Sequence, residues 1–103
     1  MQYNCREMRI RSGSAAGTFV IYSRIAERHP ELTEGDVVHA WENAIVSAPR
    51  LGKDRDEYVS AGFDKSGRMI EMAAVRDPSG TWTVFHAMTP PSKKTFHELG
   101  IGR

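Results

Sequence analysis

The chain has 103 residues, 40% of them hydrophobic and 26% charged, with 14 Lys and Arg against 13 Asp and Glu. That length suits one domain and excludes two, and the near-balance of charge excludes a global attraction to nucleic acid or to a membrane. The single cysteine, Cys5, excludes an intramolecular disulfide. No apolar run approaches a membrane span, and the N-terminus lacks the apolar stretch of a secretory signal. We therefore expect one cytoplasmic domain over residues 1–103 with no membrane partner.

The N-terminal segment changes character near Thr18. Residues 8–11 (MRIR) alternate apolar and basic side chains, so residues 1–17 are expected to hold an edge strand followed by a flexible loop of small residues. From Thr18 onward, apolar residues recur at helical spacing until Pro30, which cannot continue a helix. The pattern therefore predicts a first helix between these two positions.

The second predicted helix has the clearest start in the chain. Thr33 can accept a hydrogen bond from the first helical turn, and Asp36 completes a capping box in which Asp replaces Glu or Gln. An apolar stripe follows at helical spacing and ends at Pro49. Its members are Val38, Trp41, Ala44, Ile45 and Ala48. We expect this stripe to pack against the core.

Beyond a polar loop, the periodicity changes from helix to strand. Three runs of strand character are joined by DKSG and DPSG, whose Asp and Gly residues favour tight hairpins. A last helical segment has Ser92 as its candidate cap and Gly100 at its end. The predicted strands span residues 57–63, 68–76 and 81–88. We therefore predict an α+β domain in which two N-terminal helices pack on a three- to four-stranded antiparallel sheet, followed by a short C-terminal helix.

The two hairpins determine which side chains share a face of the sheet. With four residues in each connection, Phe63 lies opposite Arg68, and Arg76 lies opposite Thr81. Side chains then alternate between an apolar face and a mixed face. The apolar face, predicted to pack on the helices, comprises Val59, Ala61, Phe63, Ile70, Met72, Ala74, Phe85 and Ala87.

The mixed face places three polar side chains in one row. The same register puts Ser60 beside Glu71 and Glu71 beside His86. Direct cross-strand neighbours lie about 4.5–5.5 Å apart at Cβ, close enough for a carboxylate–imidazole hydrogen bond. Such a carboxylate would orient the ring and fix its tautomer, which suits an acid–base residue. The alternative is a cross-strand polar pair that adds only modest stability.

Basic side chains near the mixed face are candidates for phosphate binding. Lys93 and Lys94 stand at the start of the last predicted helix, and Arg24 and Arg28 lie one turn apart on the first. The alternative for each is a solvated surface charge. The four histidines lack the H-x-x-x-H and H-E-x-x-H spacings of zinc sites, so no metal is predicted. The sequence also has no Gly-rich nucleotide loop, and no cofactor is predicted.

Two segments of the chain resemble BrnT-like toxins. Residues 28–45 (RHPELTEGDVVHAWENAI) resemble the helix-turn-helix segment of that family, and residues 67–96 (GRMIEMAAVRDPSGTWTVFHAMTPPSKKTF) resemble its closing hairpin. The resemblance implies a RelE/ParE-like fold with a metal-independent ribonuclease surface on the open face of the sheet. It also implies a toxin–antitoxin pair, in which a cognate antitoxin neutralises the toxin.

Carried over residue by residue, the resemblance assigns roles on the mixed face. His86 matches the polar position at the strand end, His29 matches the turn histidine, and Lys93 with Lys94 matches the basic run that follows. In this interpretation His86 and Glu71 are catalytic. The RNA- or phosphate-binding residues are Lys93, Lys94, Arg24, Arg28 and His29. The expected partners are RNA and an antitoxin, in a homodimer or a toxin–antitoxin hetero-oligomer. The alternative is a non-catalytic protein- or nucleic-acid-binding module of the same fold.

Overall fold

A computed structural model of the chain describes residues 8–13, 17–22, 24–52 and 54–101. Cys5 lies outside these residues, as does part of the predicted loop before Gly17. The elements, in chain order, are β1 (Met8–Gly13), β2 (Gly17–Tyr22), α1 (Arg24–Arg28), α2 (Glu34–Glu42), β3 (Ala44–Pro49), β4 (Asp56–Phe63), β5 (Met69–Arg76), β6 (Trp82–Met88) and α3 (Lys93–Leu99).

The strands form one six-stranded sheet in the order β1-β2-β6-β5-β4-β3. The predicted α+β class is confirmed, and β1 lies at one edge of the sheet. The prediction of a three- to four-stranded antiparallel sheet is wrong, because the sheet has six strands and β2 pairs parallel with β6. The remaining neighbours in the sheet pair antiparallel.

The first predicted helix is mostly a strand. Residues Gly17–Tyr22 form β2, and only Arg24–Arg28 are helical. The run Thr-Phe-Val-Ile-Tyr consists of β-branched and aromatic side chains, which favour a pleated strand that is buried on at least one face. Pairing on both sides, with β1 and with β6, outweighs the weak helical spacing of the same residues.

The second predicted helix begins where expected and ends early. The Thr33 N–H donates to Asp36 Oδ2 at 2.9 Å, and the Asp36 N–H donates to Thr33 Oγ1 at 3.0 Å, so the capping box is confirmed. The helix ends at Glu42, and Ala44–Pro49 form the edge strand β3. The predicted helix to Pro49 is therefore wrong, because pairing with β4 recruits the second half of the segment into the sheet.

Helices cover both faces of the sheet, in three layers. α1 and α2 pack on one face, through a core cluster of Ile21, Ile25, Leu32, Val37, Ala40, Ile70, Met72, Ala74, Val84 and Ala87. α3 packs on the other face, where Leu99 contacts Val59 and Ala61. α2 crosses β4 so closely at Gly62 that a Cβ there would collide with the Ala40 carbonyl. The longest described helix has nine residues, and none in the described part of the chain is long and apolar enough to cross a membrane.

The two hairpin connections each contain one residue more than predicted. Phe63 lies opposite Met69, and Arg76 lies opposite Trp82, so five residues separate the paired strands in both hairpins. The extra residue is accommodated by the positive φ of Gly67 (91°) in the first connection. A register displaced by one residue exchanges the faces on which side chains lie.

A bulge in β6 changes the register again. Ala74 pairs with Val84, but Ala73 pairs with His86, so Phe85 is the extra residue. The predicted row of three polar side chains is therefore wrong in one member. Ser60 lies opposite Met72, on the face covered by α2, whereas Glu71 and His86 point to the face covered by α3.

The apolar face also differs from its prediction. Ile70, Met72, Ala74 and Ala87 pack toward α1 and α2, as predicted. The β4 side chains predicted to join them lie instead on the α3 face, because the longer connection shifts β4 by one residue relative to β5. These residues are Val59, Ala61 and Phe63.

Candidate functional site

A carboxylate–imidazole pair lies on the α3 side of the sheet. Glu71 Oε2 and His86 Nε2 are 2.7 Å apart, so the predicted contact is confirmed. The two residues are not directly opposite, because Glu71 faces Met88 and His86 faces Ala73. They are diagonal neighbours, a separation of about 7–8 Å that long side chains span.

Glu71 is buried, and both of its carboxylate oxygens accept hydrogen bonds. Only 4% of the residue is exposed. Its Oε1 accepts hydrogen bonds from the Ser92 N–H at 2.9 Å and the Ser92 hydroxyl at 3.2 Å. Burial by itself would raise the pKa of Glu71, but hydrogen bonds from His86, Thr95 and Ser92 outweigh it and lower the pKa to about 2. The carboxylate is therefore ionised at neutral pH, and it links His86 to the start of α3.

The ionised carboxylate determines the tautomer of His86. An ionised carboxylate only accepts hydrogen bonds, so Nε2 of His86 must carry the hydrogen that it donates. Nδ1 then holds the lone pair of the neutral ring, because Nε2 is the nitrogen that contacts Glu71. About a third of the His86 side chain is exposed. Glu71 thus holds the ring through Nε2, and Nδ1 is the nitrogen that can accept a proton.

A cavity of about 270 Å³ lies in front of His86, between α1 and β6. β2 pairs with β6 only as far as Ile21 and Val84, and α1 then runs beside the rest of β6. This arrangement brings four of the predicted site residues to one cavity. They are Arg24, Arg28, His29 and His86.

Two histidine rings that line this cavity lie next to each other. The His29 ring lies edge-on to the His86 ring, with 6.4 Å between centroids. His29 follows the last residue of α1, and its N–H donates to the Ile25 carbonyl at 2.8 Å. Its Nδ1 lies 3.6 Å from Glu31 Oε2. The backbone at the end of α1 therefore places a second titratable ring beside the first.

The cavity favours an anionic ligand. Arg24 and Arg28 occupy successive turns of α1 on the same side of the cavity. Two negative charges lie nearby: Glu71 is buried and already hydrogen-bonded, and the Glu31 carboxylate lies beside His29. Two guanidinium groups beside two imidazoles form a surface that attracts a phosphodiester, because arginine matches the geometry of phosphate oxygens.

Lys93 and Lys94 do not join this cavity. Both are exposed at the start of α3, and Lys94 lines a different cavity together with Arg50 and Glu98. The start of α3 is also occupied, because Ser92 donates to the Glu71 carboxylate. The predicted phosphate site at this helix start is therefore not part of the His86 cavity.

The sequence predicts Ser92 as the cap of α3 but does not predict its contact with Glu71. Its position as the cap of α3 is correct, since its hydroxyl accepts from the Thr95 N–H at 3.2 Å. Its N–H and hydroxyl also donate to Glu71, because the chain that follows β6 turns back toward β5. No local spacing in the sequence predicts this contact. Phe85, which lines the cavity, was placed on the apolar face because the bulge in β6 has no sequence signal.

Comparisons with protein-family models, with curated proteins and with solved structures find no match to this chain. The resemblance to BrnT-like toxins therefore stays a prediction. Among the described residues, no group of three or more His, Cys, Asp or Glu side chains is placed to hold a metal ion. The chemistry that the described side chains can supply at this cavity is proton transfer next to a bound anion.

Proposed function

We propose that the chain is a metal-independent ribonuclease, a BrnT-like toxin or toxin homologue, that cleaves RNA in the cavity between α1 and β6. One observation carries the proposal. His86 is held by the buried, ionised Glu71 at 2.7 Å and opens into a cavity that also contains His29, Arg24 and Arg28. RNA carries its own nucleophile, the 2′-hydroxyl, so its cleavage needs a base, an acid and stabilisation of the phosphate charge.

The proposed reaction is an internal transesterification. Nδ1 of His86 removes the proton of the 2′-hydroxyl, whose oxygen forms a bond to the adjacent phosphorus. The bond from phosphorus to the 5′ oxygen breaks, and His29 in its protonated form donates a proton to that oxygen. The products are a 2′,3′-cyclic phosphate and a 5′-hydroxyl, and no further reactant is consumed. Both rings line the same cavity, edge-on to each other with 6.4 Å between their centroids, and this proximity supports the division of roles.

The arginines and Glu71 have supporting roles in this reaction. Arg24 and Arg28 would stabilise the charge that develops on the phosphate oxygens. Glu71 is a positioning residue, because it contacts His86 and is too deeply buried to reach the substrate. It holds the ring in the tautomer with Nδ1 unprotonated, the form that accepts the proton of the 2′-hydroxyl.

The test is a cleavage assay with purified protein and a labelled single-stranded RNA, in the presence of a chelator. His86→Ala and His29→Ala should each lower the cleavage rate by about 10²–10⁴-fold, the usual contribution of an acid–base group. His97→Ala is the matched control, because His97 lies exposed on α3 and does not line the His86 cavity. A substrate with a 2′-deoxy group at the cleaved position should remain intact.

Each result separates the proposal from its alternative. Cleavage that survives His86→Ala, or that disappears with the chelator, contradicts the proposed mechanism. RNA that binds at the arginines but is never cut would identify a non-catalytic binding module. As part of the proposal, a cognate antitoxin would cover this cavity, and co-purification of such a partner should be weakened by Arg28→Glu.

A further inference from the structure

A second cavity, of about 350 Å³, lies on the α2 face of the sheet, between the end of α2 and β4. Three aromatic rings line it. Trp82 is edge-on to Trp41 at 5.4 Å and edge-on to Tyr58 at 5.2 Å, measured between ring centroids. All three side chains are half-buried, so part of each ring is open to a ligand. The volume falls within the range of about 300–1,000 Å³ that small-molecule sites occupy.

The positive charge of Arg76 at the rim of this aromatic cavity is paired with the carboxylate of Asp56. The Arg76 guanidinium lies 5.1 Å from the Trp82 centroid and 5.8 Å from the Tyr58 centroid. Both Nε and Nη2 of Arg76 contact Asp56 Oδ2 at 2.8 Å. A cationic ligand would compete with Arg76 for the ring faces, and an anion would meet an arginine already paired with a carboxylate. The cavity therefore favours a neutral ligand.

A buried hydroxyl adds a specific polar requirement. Ser60 is 1% exposed, and among the described residues its Oγ has no hydrogen-bond partner. It lines the aromatic cavity together with Tyr58. The two side chains share a face of β4, because they are two residues apart in the strand. A buried hydroxyl without a partner is unfavourable, so a ligand that offers it a donor or acceptor gains that interaction. A purely aliphatic ligand would leave it unpaired.

We propose that the aromatic cavity binds a purine or pyrimidine base. A base is neutral and planar, has two faces for stacking on tryptophan and tyrosine, and carries ring nitrogens and carbonyl oxygens at its edge for the Ser60 hydroxyl. The Arg76 guanidinium is planar too and can stack on the same rings beside the base. This site does not rest on the proposed ribonuclease function, because the aromatic cavity and the His86 cavity share no lining residue.

The chain contains its own reporters for this test. It has two tryptophans, Trp41 and Trp82, and both line the aromatic cavity. The two indole N–H signals in a ¹H–¹⁵N spectrum therefore both report on this site. The probes are the four nucleosides and, separately, a single-stranded RNA oligonucleotide. Saturable shifts with nucleosides indicate that the cavity takes the base of a small nucleoside, and shifts with the oligonucleotide alone indicate a base within RNA.

Variants decide whether the base occupies this cavity. Ser60→Ala should weaken binding by about 2- to 10-fold through loss of one hydrogen bond. Trp82→Leu should weaken it by about 5- to 150-fold, the effect of losing a stacking ring. If Trp82→Leu does not fold, Ser60→Ala still decides the question. His86→Ala should bind the nucleosides as the parent does, so loss of cleavage and loss of base binding can be told apart.

Three outcomes would overturn the inference. The first is that neither nucleosides nor the oligonucleotide shift the indole signals. The second is that Ser60→Ala and Trp82→Leu bind with the affinity of the parent. The third is that phenol, an aromatic ring without a base edge, binds as tightly as the best nucleoside, which would make the cavity a general apolar site.

Discussion

Replacing Glu71 by glutamine should remove an acid-sensitive part of the stability of the fold. The pKa of Glu71 falls from its ordinary value of 4.5 to about 2 in the folded chain. At about 1.4 kcal/mol per pKa unit, this difference corresponds to about 3 kcal/mol of folding free energy. Because the pKa is lowered by folding, the contribution is complete above about pH 5 and is lost as the pH falls toward about 2.

The assay is urea denaturation of the parent and of Glu71→Gln at several pH values between about 6 and 2. The parent should be the more stable protein at the upper end, and the difference between the two should shrink by about 3 kcal/mol toward the lower end. Asp64 also has a pKa lowered to about 2, but it is present in both proteins and cancels in the difference. A difference that stays constant with pH would refute the reasoning.

Three further predictions concern packing and turns. Gly62→Ala should unfold the domain or lower its melting temperature sharply, because the added Cβ collides with the Ala40 carbonyl; circular dichroism measures the melt. Asp64→Asn should destabilise the fold by about 2 kcal/mol in urea titrations, since Asp64 is buried and pairs with the Arg68 guanidinium at 2.7 Å. Asp77→Asn, at the equivalent but exposed position of the second hairpin, should cost clearly less; equal losses would contradict the role of the ion pair.

The C-terminal half of the fold could be predicted because its signals are local. Asp and Gly at the ends of both connections indicate the hairpins, and the three strands lie within one residue of their predicted bounds. Ser92 and Gly100 mark the two ends of α3 in the same way, through the hydrogen bonds and the positive φ that their residue types allow. Each of these features depends on residues within a few positions of one another.

Two segments of the N-terminal half could not be predicted in the same way, although the capping box of α2 was. Residues 17–22 and 44–49 are short apolar segments whose spacing is compatible with either a helix or a strand. Their state is decided by distant partners: Phe19 pairs with Trp82, and Ser47 pairs with Ser60. No local pattern encodes such pairings, and tertiary pairing overrides a weak periodicity.

The Glu71–His86 contact was predicted from a register that is itself wrong. The longer hairpin moves β6 by one residue relative to β5, and the bulge at Phe85 moves it by one more. Two displacements of one residue return His86 to the face of Glu71, as a diagonal neighbour instead of a direct one. One displacement alone would have separated the two side chains, as it did for Ser60. The same cavity is also lined by Arg24, Arg28 and His29. Their position beside the Glu71–His86 pair depends on where β2 ends, which the sequence does not show.

The parallel pairing of β2 with β6 has a consequence for the order of assembly. It joins position 19 to position 82, and β6 is the last strand of the sheet to leave the ribosome. Until then β2 has no partner on one side, and α1, which follows β2 directly, has no strand to run beside. Contacts between positions so distant in sequence form late in folding, because the intervening chain must first be ordered. A nascent or truncated chain would therefore carry the two arginines and His29 without His86, and the cavity would exist only in the completed protein.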